Sequence, residues 1–136
     1  MARFERDPAA EGPVVTGFSS GGFVVDQGVY RALLLTPLRA DEWASPALAE
    51  LAPADLEPLL ALSPAPEFLI LGTGERLTQP PRALREALDK LGIGLEAMDS
   101  RAAARAWGLL RGEGRWIAAA LMPLQPSLRA SKGSSQ

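Results

Sequence analysis

The sequence predicts an α/β domain in which an N-terminal β meander precedes a βαβαβ unit, giving a mixed β-sheet with helices packed on it. Three observations carry this. Between residues 13 and 36, β-branched and aromatic residues are broken by Ser19-Ser20-Gly21-Gly22 and Asp26-Gln27-Gly28. Phe68-Leu69-Ile70-Leu71 is apolar at every position and ends at Gly72-Thr73-Gly74, as in a strand covered on both faces. After it, Leu84, Ala87, Leu88 and Leu91 recur at helical spacing.

The opening reads as strands over Pro13–Phe18 and Phe23–Val25 joined by a tight turn. A third strand is expected over Val29–Thr36, with Leu33-Leu34-Leu35 as its apolar run. Pro37–Pro46 is expected to be irregular and contains Trp43. Pro53 suits the first position of a helix, where a missing N–H costs little, and Leu56, Leu59 and Leu60 would face a core. Pro58 conflicts with a regular helix, since an interior proline costs about 3 kcal/mol or more; the helix should be short or bent. Pro80–Leu91 is the clearest helix, with Arg85–Asp89 and Glu86–Lys90 spaced to pair on the wet face and Gly92 as its stop. Gly94–Met98 is the next strand, Asp99 or Ser100 caps a helix striped with Ala103, Ala106, Trp107 and Leu110, and Arg115–Met122 is the last strand. The strands on either side of Pro80–Leu91 should be parallel. In domain terms, residues 1–12 read as a flexible segment, 13–123 as one α/β domain and 124–136 as a disordered tail.

Composition narrows the chemistry. The 136-residue chain is 47% hydrophobic and 22% charged, with a formal net charge of −2. That balance suits one globular domain and lacks the basic footprint that nucleic acid requires. There is no cysteine and no histidine. Disulfides, thiolate nucleophiles, thiolate- or imidazole-bound zinc and a serine–histidine triad are therefore impossible within this chain. Neighbouring carboxylates such as Asp41-Glu42 and Asp55 with Glu57 form no ligand pattern, so no metal is expected, nor does any motif call for a cofactor or mark a catalytic residue. No apolar run approaches the roughly 20 residues of a membrane span. Met1–Gly12 lacks a signal-peptide core and carries Glu5, Asp7 and Glu11. The expectation is a cytoplasmic protein.

Two candidate sites follow. Gly72-Thr73-Gly74 lies beyond the carboxyl end of a buried strand, where open α/β sheets bind ligands. Ser100 and Arg101 follow the neighbouring strand. Gly72, Thr73, Gly74, Arg76, Ser100 and Arg101 are thus candidates to hold a small anion with backbone N–H groups and a helix N-terminus. The bland alternative is a tight turn, a helix cap and solvated arginines. The motif is neither a Walker A loop nor a dinucleotide fingerprint. Trp43, in its proline-bounded loop, is the candidate for a protein contact and is expected to be partly exposed. Trp107 and Trp116 read as core or sheet face.

The ordered set Val15-Thr16-Gly17-Phe18, Gly21-Gly22-Phe23, Gly28, Tyr30, Leu33 to Leu35, Trp43, Leu69 to Gly74, Glu96 to Asp99, Glu113-Gly114-Arg115 and Ile117 to Leu121 resembles a domain-of-unknown-function family. That family includes mitochondrial NADH dehydrogenase (complex I) assembly factor 3 and an adipogenesis-associated protein. The resemblance spans residues 13–123. It implies a three-layer α/β arrangement around a mixed β-sheet, and a non-enzymatic binding or assembly role with a protein partner, a homo-oligomer included. Where the family often carries cysteine, tyrosine and asparagine, this chain has Ala104, Trp107 and Gly108, and Ser100 replaces a common threonine. The other open reading is a small-molecule or anion-binding domain, or an enzyme, working at the Gly72–Gly74 edge with backbone N–H groups, arginine and a carboxylate.

Overall fold

The structure is a computed structural model and describes residues 12–125. The expected flexible segment, apart from Gly12, and the expected tail from residue 126 on lie outside the described residues. Leu124, placed in that tail by the sequence, is fully buried.

Strands β1 (Gly17–Ser19), β2 (Gly22–Val25) and β3 (Gly28–Tyr30) form the antiparallel meander. Ser20 and Gly21 turn the first hairpin with φ of 53° and 76°, the paired positive values of a turn whose twist matches its strands. The expected single strand over Val29–Thr36 is two strands. The chain bends at Arg31-Ala32, and β4 (Leu33–Leu35) joins a second sheet. The reason is burial: all three β4 leucines are buried, whereas β3 is half exposed. One strand cannot serve both environments.

The region 37–46 is more regular than its prolines suggest. β5 (Ala40–Glu42) pairs antiparallel with β4. Its turn is held by the Thr36 hydroxyl, which accepts from the N–H groups of Leu38 at 3.2 Å and Arg39 at 3.1 Å. After two 3-10 turns, at Leu48–Glu50 and Pro53–Leu56, α1 occupies only Glu57–Leu60. Pro58 therefore sits in a first turn, where its missing N–H removes no helical bond. The helix is short, as that proline requires.

The remaining elements alternate: β6 (Phe68–Gly72), α2 (Arg82–Lys90), β7 (Gly94–Met98), α3 (Ser100–Gly112) and β8 (Ala118–Leu121). The large sheet has five strands in the order β5-β4-β8-β6-β7, with β7, β6 and β8 mutually parallel and β4 antiparallel to both of its neighbours, β8 and β5. Alternation along each strand divides the core. Leu34, Leu69, Leu71, Leu95, Ala118 and Ala120 face Leu56 and Leu59 of the α1 region and Leu84 and Leu88 of α2. Leu33, Leu35, Ile70, Ala119 and Leu121 face α3, through Ala103, Ala104 and Trp107, and the meander, through Phe23 and Val25. The molecule thus has three layers around a mixed sheet. On α2, the burial of Leu84 and Leu88 contributes about 1.5–3 kcal/mol each. Leu91, expected on the same stripe, lies past the last helical residue and is exposed. Arg85, expected to pair with Asp89, donates instead to the Leu95 carbonyl on edge strand β7 at 2.7 Å.

Candidate functional site

The parallel strands β6, β7 and β8 deliver three segments to one edge of the sheet: Gly72-Thr73-Gly74, Asp99-Ser100-Arg101 and Met122-Pro123. Asp99 caps α3, its carboxylate accepting from the Ala102 N–H at 3.1 Å. This frees Ser100, the first helical residue, for a different task. Its side chain is fully buried, and its hydroxyl accepts from the Gly74 N–H at 2.8 Å and donates to the Met122 carbonyl at 2.8 Å. The Ser100 N–H donates to the Gly74 carbonyl at 2.8 Å, and the Thr73 N–H to the Met98 carbonyl at 2.8 Å. One serine therefore ties all three loops together. Gly72 is required for this approach, because a Cβ there would lie 2.8 Å from the Ser100 hydroxyl and 2.9 Å from the Ser100 Cα.

These bonds engage three of the donors that an anion site at this edge would use. The N–H groups of Thr73, Gly74 and Ser100 all point to protein acceptors. The Thr73 hydroxyl closes its own loop, donating to the Arg76 carbonyl at 2.7 Å and accepting from the Thr78 N–H at 3.0 Å. Arg76 is exposed, and Arg101 lays its guanidinium 5.4 Å from the centre of the Phe18 ring. Gly72, Thr73, Gly74 and Ser100 do meet, as the strand order requires, and they are joined by hydrogen bonds between their loops.

The expectation that Trp43 is partly exposed is corrected. It is only 8% exposed, its indole N–H donates to the Asp55 carbonyl at 3.2 Å, and its backbone N–H extends the β4–β5 pairing to the Ala32 carbonyl at 3.1 Å. Its ring belongs to the α1–α2 side of the core. Trp107 is core, as expected, with its N–H on the Pro13 carbonyl at 2.8 Å. Trp116 is half-buried just before β8, bonded to the Pro64 carbonyl at 2.7 Å.

Sequence reasoning missed the cleft these parts enclose. Beyond the same sheet edge, a hollow of about 770 Å³ opens between Arg31-Ala32, residues 42–48, Thr73-Gly74-Glu75 and residues 122–125. Buried Trp43, Met122 and Leu124 contribute to its lining, together with exposed Ala44 and Ala47 and half-buried Leu48. Exposed Glu42 and Glu75 supply negative charge, while the Arg31 guanidinium donates to the Gln125 carbonyl at 3.3 Å. The cleft depends on β4 having a free N-terminal end beside the carboxyl ends of β8 and β6. That juxtaposition was hidden as long as β3 and β4 were read as one strand.

At the opposite end of β6, the Arg115 guanidinium holds the Glu67 carboxyl below its usual range through a 2.7 Å bond, and is itself raised by it. Burial lowers Arg111, whose guanidinium donates to the Arg115 carbonyl. Among the described residues, no group of three acidic, histidine or cysteine side chains is placed to hold a metal ion, and no helix is long and apolar enough to cross a membrane.

A mixed five-stranded sheet with helices on one face and a helix plus a small antiparallel sheet on the other is the architecture of Mth938-like domains. The solution structure of a Bordetella pertussis protein so described matches with a TM-score of 0.75 and 25% identity, covering 96% of this chain and 97% of that one. Residues 15–122 match the family described as a protein of unknown function (DUF498/DUF598), and the chain belongs to that family. An uncharacterised Rhodobacter capsulatus protein is 32% identical over 121 residues, 88% of this chain and 92% of the relative. NADH dehydrogenase [ubiquinone] 1 alpha subcomplex assembly factor 3 of Danio rerio is 30% identical over 116 residues, 85% of this chain and 67% of the relative.

Proposed function

We propose that this chain is a binding domain of the assembly-factor type, which recognises another protein and performs no chemistry of its own. The observation that carries this reading is the fate of the polar groups at the carboxyl edge of the sheet. In an open α/β fold that edge is where reacting groups are displayed. Here the hydroxyls of Ser100 and Thr73, and the N–H groups beside them, are engaged in joining loops. What they leave beside them is a cleft whose lining is mainly alanine, leucine, proline, methionine and the edge of Trp43. Such a surface suits recognition by apolar contact. Similarity to a protein named as a complex I assembly factor points the same way.

The test is photo-crosslinking in the native cell. A photoreactive residue replaces exposed Ala47 in the cleft, or exposed Leu109 on α3 as a control. A discrete protein crosslinked from position 47, which then forms a stoichiometric complex with the purified chain, supports the reading. A chain that crosslinks to nothing, yet is purified with a small molecule that it converts to product, contradicts it.

A further inference from the structure

We infer that the cleft receives an extended segment of a partner protein in which an apolar side chain is flanked by lysine or arginine; this rests on the binding-domain reading and gives it a site and a ligand class. The first argument is shape. The hollow of about 770 Å³ shares Leu48 with a second hollow of about 470 Å³ lined by Ala49, Thr78, Gln79 and Pro81. The two hollows adjoin at Leu48, which lines both. Two adjoining hollows can take successive side chains of a segment in extended form.

The second argument is the lining. Met122 and Leu124 are buried beneath it, and Ala44 and Ala47 are small, exposed and leave room above them. An apolar side chain entering there removes apolar surface from water on both partners.

The third argument is charge. Glu42, at the end of β5, and Glu75, in the loop after β6, are both exposed at the cleft. Among the described residues, the cation in the lining is Arg31, which donates to the Gln125 carbonyl. The described lining therefore carries net negative charge, and complementarity calls for basic residues on either side of the inserted apolar one. Anionic ligands meet the opposite condition, since the nearby N–H groups of Thr73 and Gly74 are engaged.

The test uses the full chain and two labelled octapeptides. One is Ser-Gly-Arg-Leu-Val-Arg-Gly-Ser; the other carries glutamate at both arginine positions. The basic peptide should bind saturably and move the amide resonances of Ala44, Ala47 and Gly74, with the acidic one about tenfold weaker at low salt. Ala47→Phe, which fills the cleft from an exposed position, should weaken the basic peptide at least about fivefold without changing the melting temperature. Combining Glu42→Lys with Glu75→Lys should invert the preference.

Equal binding of both peptides, binding indifferent to Ala47→Phe, or shifts confined to the outer face of α3 would overturn the inference. Two other occupants would overturn it as well. A nitroxide on Ser131→Cys, in a chain with no other cysteine, that broadens the Ala44 and Ala47 amides at high dilution would assign the cleft to the chain's own residues beyond 125. A dimer dissolved by the peptide would assign it to a second copy. A crosslinked partner that still binds the Ala47→Phe chain would refute this site while leaving the binding-domain reading intact; the absence of any protein partner would refute the reading itself.

Discussion

Replacing Trp43 with alanine distinguishes a core tryptophan from a recognition tryptophan. The ring is 8% exposed, packs in the cluster that holds Leu51, Leu56 and Leu59, and anchors the 3-10 turn at Pro53–Leu56 through its bond to the Asp55 carbonyl. Removing a buried tryptophan costs about 3–5 kcal/mol, as transfer and cavity contributions together. Loss of the indole bond adds about 1 kcal/mol at most, because the Asp55 carbonyl lies near solvent. Against a total of about 5–15 kcal/mol for a domain of this size, the variant should be severely weakened. At roughly 4 °C per kcal/mol, its melting temperature should fall by about 12–24 °C. Urea denaturation followed by circular dichroism is the assay, with Trp43→Phe expected to recover more than half of the loss. A loss below about 1 kcal/mol would refute the burial argument and restore Trp43 as a surface anchor.

Ser100→Ala should cost about 2–4 kcal/mol in the same denaturation assay, because it leaves the buried Gly74 N–H and Met122 carbonyl without their partner; a neutral result would mean that water or a backbone shift replaces the hydroxyl. Gly72→Ala should destabilise by about 1–3 kcal/mol through overpacking against Ser100, and doubling it with Ser100→Ala should cost less than the sum, since the two share one contact. Glu67 has its carboxyl lowered by Arg115, so its contribution is present above the ordinary carboxylate pKa of about 4.3 and is lost as pH falls through the lower folded value. Wild type and Glu67→Gln should therefore differ in melting temperature at neutral pH and converge in acid, and a difference that grows as pH falls would reverse the sign of that linkage. A chelator should leave the melting temperature of the full chain unchanged, whereas a fall of several degrees would reveal a structural ion.

The β6–α2–β7–α3–β8 half was legible because its signals are local. Phe68 to Leu71 is apolar on both faces, α2 has clean helical spacing, and Asp99 is a strong cap. The meander was legible for the same reason, through the turn chemistry at Ser20-Gly21 and Asp26-Gln27. The split between β3 and β4 was not, since no glycine or proline marks Arg31-Ala32 and the bend is imposed by which sheet each half joins. β5 was hidden because Pro37 and Pro46 suggest loop, while the device that forms its hairpin is a single threonine hydroxyl.

The candidate site illustrates the same limit. Strand order placed Gly72, Thr73, Gly74 and Ser100 together, which the spacing of β6 and β7 already implied. Whether their donors face a ligand or each other depends on Met122, just after β8, whose carbonyl completes the serine's bonds from 22 residues away in sequence. Nothing local to Ser100 encodes that. Trp43 failed for a related reason: proline-bounded surroundings suggested exposure, but its acceptor at Asp55 and its neighbours at Leu56 and Leu59 belong to a later segment that folds over it.

The most direct measurement of the binding-domain reading is an amide-resonance map of the full chain titrated with the protein crosslinked through position 47. Saturating shifts that centre on Ala44, Ala47, Gly74 and Glu75, and that disappear in Ala47→Phe, are expected. Shifts centred on the outer face of α3 around Leu109, or none at a concentration where the two proteins co-sediment, would contradict recognition through the cleft.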